Sequence, residues 1–202
     1  MHSFLDALRI QRWDDHRYYH HSYINQALHL LSALSFLTAY VLVFTDPVGA
    51  ALVGWLVAMV SRQSGHFFFE PKGYDEVNQA TFEHKEAIKV GYNLQRKVVL
   101  LAIWAAAPVL LLLDPTFFGH FPPHETRTEF AHHLGWLWLW LGVAGLLFRT
   151  VQLFILKDVQ TGCVWCTKIL TDPFHDVWLY WRAPLRLLKG ELRDSMQEKP
   201  AR

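Results

Sequence analysis

The chain has 202 residues, 52% of them hydrophobic and 15% aromatic, with a formal net charge of +1. That length suits one domain or a small helical bundle. The near-neutral charge, with no dominant basic stripe, excludes a nucleic-acid partner.

The apolar residues are bunched into four long runs that carry almost no charge, whereas an amphipathic soluble helix would spread its charge along one stripe. Residues 1–25 contain Asp6, Arg9, Arg12, Asp14, Asp15 and Arg17 and no apolar core, so they do not read as a cleaved signal peptide. The first span is expected over 27–44, with Asp46-Pro47 as a tight turn. The second is expected over 48–69: its most apolar part ends at Val60, short of the roughly 20 residues a bilayer needs, and it lengthens through Phe67, Phe68 and Phe69. A third runs over 98–113 and a fourth over 134–156, with Trp136, Trp138 and Trp140 as interfacial aromatics at its start. Unsatisfied backbone groups cost several kcal/mol in lipid, so all four runs are predicted to be helices. The expected fold is an all-α polytopic membrane bundle (1–156), followed by a cytoplasmic juxtamembrane tail (157–202). Within that tail, 177–192 mixes tryptophans and leucines with Arg182, Arg186 and Lys189, as an amphipathic interfacial segment does, with Pro184 bending it.

Four spans put both termini on one side. Near the spans that side carries ten cations (Arg12, Arg17, Arg62, Lys72, Lys85, Lys89, Arg96, Lys97, Lys157 and Lys168), against Arg127 alone on the other. The positive-inside bias makes the first side cytoplasmic, in a bacterial inner membrane or an endoplasmic reticulum. Arg149, inside the fourth span, is expected to snorkel towards it.

Topology sorts the histidines. His16, His20, His21, His29, His66, His84 and His175 fall on the cytoplasmic side, with His2 at the free end; His120, His124, His132 and His133 fall in the 114–133 loop opposite. The two groups lie a bilayer apart, so a single site draws on one of them. His29 begins the first span and His66 ends the second, and an antiparallel hairpin sets them at similar depth. Asn25 lies four residues before His29, and Glu70 four after His66, so each pair shares a helix face. Ionisable groups at the membrane edge are costly and usually functional, which favours His20, His29 and His66 as ligands; His21 is a further ligand or a donor orienting one. His16, His84 and His175 read as interfacial residues. Histidines with one carboxylate suit iron, zinc or copper, and two histidines, a carboxylate and open positions suit an O₂-activating non-haem Fe(II). Cys163-Val-Trp-Cys166 is half of a zinc site at most and reads as part of a juxtamembrane helix.

Two stretches carry a family resemblance. Tyr18-Tyr19-His20-His21-Ser22-Tyr23-Ile24-Asn25-Gln26-Ala27-Leu28-His29 resembles the opening motif of the 2-hydroxy fatty acid dioxygenases, small membrane proteins of fatty acid α-oxidation, with His20, Asn25 and His29 on the motif positions. Gly65-His66-Phe67-Phe68-Phe69-Glu70 is similar to their second motif, and the resemblance spans about residues 15–72. It implies an Fe(II)-dependent dioxygenase that shortens 2-hydroxy long-chain fatty acids by one carbon, with O₂ and a membrane lipid as reactants. The expected site has His20, His21, His29 and His66 at the metal, Glu70 and Asn25 as catalytic residues, and Arg62 or Lys72 on the substrate carboxylate, with zinc or another transition metal as the alternative to iron. Two other functions are consistent with the pattern. His16-Arg-Tyr-Tyr-His20-His21 has the HxxxHH form of di-iron membrane hydroxylases and desaturases, and a non-catalytic scaffold or transporter subunit would carry its histidines as interfacial groups.

Overall fold

A computed structural model describes residues 3–196; His2 and the last six residues of the tail lie outside that range. The described chain is helical throughout, and its only β-type pairings are the isolated bridges Ser22–Arg193 and Asp75–Ala80. Three helices are long and apolar enough to cross a membrane: Tyr23–Leu42, Gln95–Leu113 and Arg127–Leu156.

The N-terminal stretch forms α1 (Phe4–Tyr19), opened by Ser3, whose hydroxyl accepts from the Asp6 amide. It stops at His20, whose φ of −113° and ψ of 42° leave helical geometry. Ser22 then caps α2 (Tyr23–Leu42). At the far end of α2, Asp46 accepts from the Gly49 amide at 2.9 Å with Pro47 behind it, which starts a new helix where the turn was expected.

The second expected span departs from a regular α-helix. Residues 47–69 are helical in four stretches: α3 (Pro47–Val53), a π-helical stretch (Gly54–Met59), α4 (Val60–Ser64) and a second π-helical stretch (Gly65–Phe69). A π turn takes in an extra residue and so changes the face presented by everything beyond it. One such stretch lies between the Asp46 turn and His66, and His66 itself sits in the second.

After α5 (Phe82–Ile88) comes α6 (Leu94–Leu113), capped by Asn93. Its Val98, Val99, Ile103, Val109, Leu112 and Leu113 are exposed, as suits a lipid-facing helix. α7 (Arg127–Leu156) starts seven residues earlier than the expected span, because Thr126 and Glu129 form a capping box; His132 and His133 are therefore helical, not loop. The longer helix also corrects the tryptophan reading. Trp138 lies three turns inside α7 and is 3% exposed, while Trp140 faces outward at 63%. Trp138 stacks on Trp104, and Trp104 on Trp55, with centroids 5.3 and 6.3 Å apart. Trp55 Nε1 donates to the Trp138 carbonyl at 2.7 Å and Trp138 Nε1 to the Trp104 carbonyl at 3.1 Å, so two of the three indoles keep a polar partner inside the apolar core. Arg149 does not snorkel: it is buried and donates to the Val90 and Gly91 carbonyls and to Gln152, tying the 89–93 segment to α7.

The tail holds α8 (Val159–Tyr180) and α9 (Ala183–Leu188), the break falling beside Pro184 as expected. α8 is an integral part of the packing and not an appended segment. It runs antiparallel to α2, with Leu170 accepting from the Tyr40 hydroxyl at one level and Asp176 facing His29 at another. Every fourth residue on one stripe of α8 is charged (Lys168, Asp172, Asp176), and that stripe meets α1 and α4: Lys168 pairs with Asp15 and Asp172, Arg12 with Asp172 at 3.1 Å, and Arg62 with Asp176 at 3.0 Å.

Candidate metal centre

Three elements converge where α1 ends. His20 comes from the end of α1, His29 from the first turns of α2, and His66 from the second π-helical stretch. Each offers one ring nitrogen, and these atoms all lie within 4.8 Å of one another. The Nε2 atoms of His20 and His29 are 3.1 Å apart, and ring centroids are 4.9 Å apart for His29 and His66 and 5.5 Å for His20 and His66. His29 is wholly buried and His20 almost so. Two buried imidazoles and the half-buried His66 ring therefore meet with no carboxylate between them.

The second nitrogen of each ring tells what this arrangement fits. His66 Nδ1 donates to Glu70 Oε2 at 2.8 Å, leaving Nε2 as its open nitrogen. His29 Nδ1 faces Asp176 Oδ2 at 3.8 Å, beyond hydrogen-bond length, and His20 Nδ1 is buried without a partner. Metal-bound histidines typically turn the other nitrogen to a carboxylate, which holds the ring and its tautomer. One of the three rings, His66, has such a carboxylate bonded behind it, and the three lie close enough to hold a metal ion. Burial holds the His20 imidazole well below its ordinary pKa, in the neutral form that a ligand requires.

Glu70, expected as the carboxylate of the site, is thus one step removed. The helix ends at Phe69 and Glu70 is extended (φ −74°, ψ 133°), so its carboxylate sits between His66 and Lys89 Nζ, the latter at 3.3 Å. Asn25 is also structural. Its amide donates to the Tyr19 carbonyl at 2.8 Å, which ties the start of α2 to the end of α1. Its Oδ1 lies against Gly65, where a Cβ would overlap it and come within 3.4 Å of His29 Cδ2. Gly65→Ala is expected to push His66 away from His29 and to cost about 1–3 kcal/mol by overpacking. Metal content of the purified variant checks this, with Gly73→Ala, which meets nothing within 4 Å, as the neutral control.

The remaining candidates scatter. His21 turns away from the cluster: its Nε2 donates to the Arg17 carbonyl and faces Asp75 at 3.3 Å. His16 lies 3.3 Å from the Tyr180 hydroxyl, and burial pushes its pKa down to about 4. His84 is exposed, and His175 packs on Trp178. His124, His132 and His133 lie near one another, with His133 stacked on Phe121, but they form no ligand cluster among the described residues. Cys163 and Cys166 are free thiols on α8. Arg62 is engaged by Asp176 and Asp172, and Lys72 is exposed.

Two neighbours of the cluster were not legible as such. Tyr180 stands with its ring 5.6 Å from His20 and 6.1 Å from His29, and Asp176 backs His29. Both lie on α8, some 150 residues along the chain; the four-residue spacing of Lys168, Asp172 and Asp176 was the available signal that α8 buries a charged face.

Beside the cluster a cavity of about 600 Å³ opens between α2, the 47–64 run, α6, α7 and α8. His66, Arg62, Gln63, Lys89 and Lys97 line one part; the rest is largely apolar, including Phe36, Ala39, Val43, Trp55, Leu100 and Trp138. Several lining residues, among them Val43, Val143 and Leu170, are exposed on the outer surface of the bundle.

Comparison with family models, curated proteins and solved structures finds no match to this chain.

Proposed function

We propose that this protein is a membrane-embedded, metal-dependent oxygenase acting on a lipid amphiphile, and specifically an Fe(II) dioxygenase of 2-hydroxy long-chain fatty acids. The observation that carries this reading is a three-imidazole cluster at the edge of an apolar cavity, His66 belonging to both. Imidazole donors suit iron, zinc, copper or nickel; the likeness of the His20–His29 and Gly65–Glu70 stretches to the dioxygenase motifs selects iron. His20, His29 and His66 would hold the ion, and Glu70 and Asp176 would keep the rings of His66 and His29 turned towards it. The bound metal supplies O₂ activation. The overall change is balanced: a 2-hydroxy acid and O₂ give a carboxylic acid one carbon shorter, carbon dioxide and water.

The membrane setting follows from the same reading. The 47–69 run serves as a fourth span in spite of its π-helical stretches, and both termini are cytoplasmic. The substrate reaches the cavity sideways from the bilayer, past the exposed lining residues.

Metal quantification on the purified protein, followed by O₂ uptake with 2-hydroxypalmitate, tests the proposal. About one iron per chain and release of the fifteen-carbon acid are expected. Two irons per chain would favour a di-iron hydroxylase, and neither iron nor O₂ uptake would overturn the proposal.

A further inference from the structure

Three of the four basic side chains that line the cavity are in direct ion pairs. Arg62 pairs with Asp176, Lys89 with Glu70 and Glu86, and Lys168 with Asp15 and Asp172. Lys97, in the first turn of α6, also lines the cavity, but its ammonium group makes no direct ion pair or hydrogen bond among the described residues. Glu70 and Asp15 attract its charge without touching it; an ammonium group in partly apolar surroundings with no anion in contact is costly, and a ligand that brings one into contact recovers part of that cost. The helix end adds to the effect, since the first turn of α6 favours negative charge and gains nothing from a lysine of its own.

The rest of the cavity limits what that anion can be attached to. Away from His66, the two glutamines, the cations and the carboxylates paired with cations (Asp14, Asp15 and Asp172), the walls are mainly aliphatic and aromatic, and a volume of about 600 Å³ lies within the roughly 300–1,000 Å³ of small-molecule sites. That matches one alkyl chain rather than a two-chain phospholipid. The cavity lining includes Val43, Val143 and Leu170, which are exposed on the outer surface of the bundle.

We infer that Lys97 is the carboxylate anchor of this cavity: a single-chain fatty acid binds with its carboxylate on Lys97 and its alkyl chain between α2, α6, α7 and α8. This rests on the reading of the cavity as the substrate site, and it replaces Arg62 and Lys72 as the carboxylate partner. Arg62 is already neutralised by two aspartates, and Lys72 does not line the cavity. Lys97 is a positioning and specificity residue and not a metal ligand.

The test uses the full chain in detergent. Displacement of a fluorescent fatty acid is measured with palmitate, hexadecanol and dipalmitoyl phosphatidate, for the wild type, Lys97→Met and Lys97→Arg. Palmitate is expected to bind the wild type at least tenfold more tightly than hexadecanol. Lys97→Met is expected to lose that preference with hexadecanol affinity and metal content unchanged, and Lys97→Arg to restore most of it. Equal palmitate affinity in the wild type and Lys97→Met would overturn the anchor alone and leave the oxygenase reading standing. Phosphatidate displacing the probe better than palmitate, with Lys97→Met abolishing that advantage, would overturn the single-chain assignment. Absence of any palmitate binding to the wild type would overturn both the anchor and the cavity reading.

Discussion

His29→Ala is expected to reduce bound metal from about one per chain to background, and His66→Ala to do the same. A three-imidazole cluster has no spare ligand: the neighbouring histidines point elsewhere, His16 to Tyr180 and His21 to Asp75. Loss of one of three protein ligands leaves two, and the wholly buried position of His29 gives solvent little access to replace it. His21→Ala, one residue along the chain from a proposed ligand, is expected to retain its metal. The measurement is metal content after extensive dialysis, alongside a size-exclusion profile that shows each variant folded. Unchanged metal in both His29→Ala and His66→Ala would sink the metal centre and favour a scaffold role. Loss in His21→Ala equal to that in His29→Ala would sink the three-histidine assignment.

The second large effect is on stability. Asp172 is the meeting point of three cations: Arg12 Nε at 3.1 Å, Lys168 Nζ at 2.7 Å and Arg62 at 3.9 Å, and its side chain is 5% exposed. Replacing it with asparagine leaves charges without their partner in a site largely closed to water. Breaking a buried pair in this way costs about 3–5 kcal/mol. For a chain of this size the midpoint of thermal unfolding should fall by about 10 °C. Arg9→Ala removes a pair whose side chains are 76% and 51% exposed, and such surface pairs contribute ~1 kcal/mol or less. A shift for Asp172→Asn no larger than that for Arg9→Ala would show that the charge network does not hold α1, α4 and α8 together.

Much of the site follows from spacing along the chain. His20 and His29 lie at the two ends of a short connection between helices, and His66 lies one hairpin away, so local geometry brings all three to one depth. The same spacing put Glu70 with His66, and the two are hydrogen-bonded at 2.8 Å, but it could not tell that the carboxylate stands behind that ring instead of beside the other histidines. It could not separate His20 from His21 either. Adjacent residues at a helix end leave in different directions, and which one faces inward depends on the turn that Ser22 and the Tyr23–Leu192 and Asp194–His21 backbone bonds impose. The tail was underestimated for a related reason. The charges of α8 suggest an interfacial surface helix unless partners are found for them, and those partners, Arg12, Asp15 and Arg62, are more than 100 residues distant in sequence.

The sequence by itself determined the helical class, the approximate positions of the three long apolar helices, and that His29 and His66 meet beside the His20–His21 pair. Apolar runs and unsatisfied backbone groups leave few alternatives in lipid, and the three ligands stand on two adjacent helical connections. Only the tertiary structure decided that Asp176 faces His29, that Trp138 is core, and that Lys97 has no carboxylate in contact beside the cavity. Each of those depends on which group a distant element brings within about 4 Å, and no pattern local to one segment carries that information.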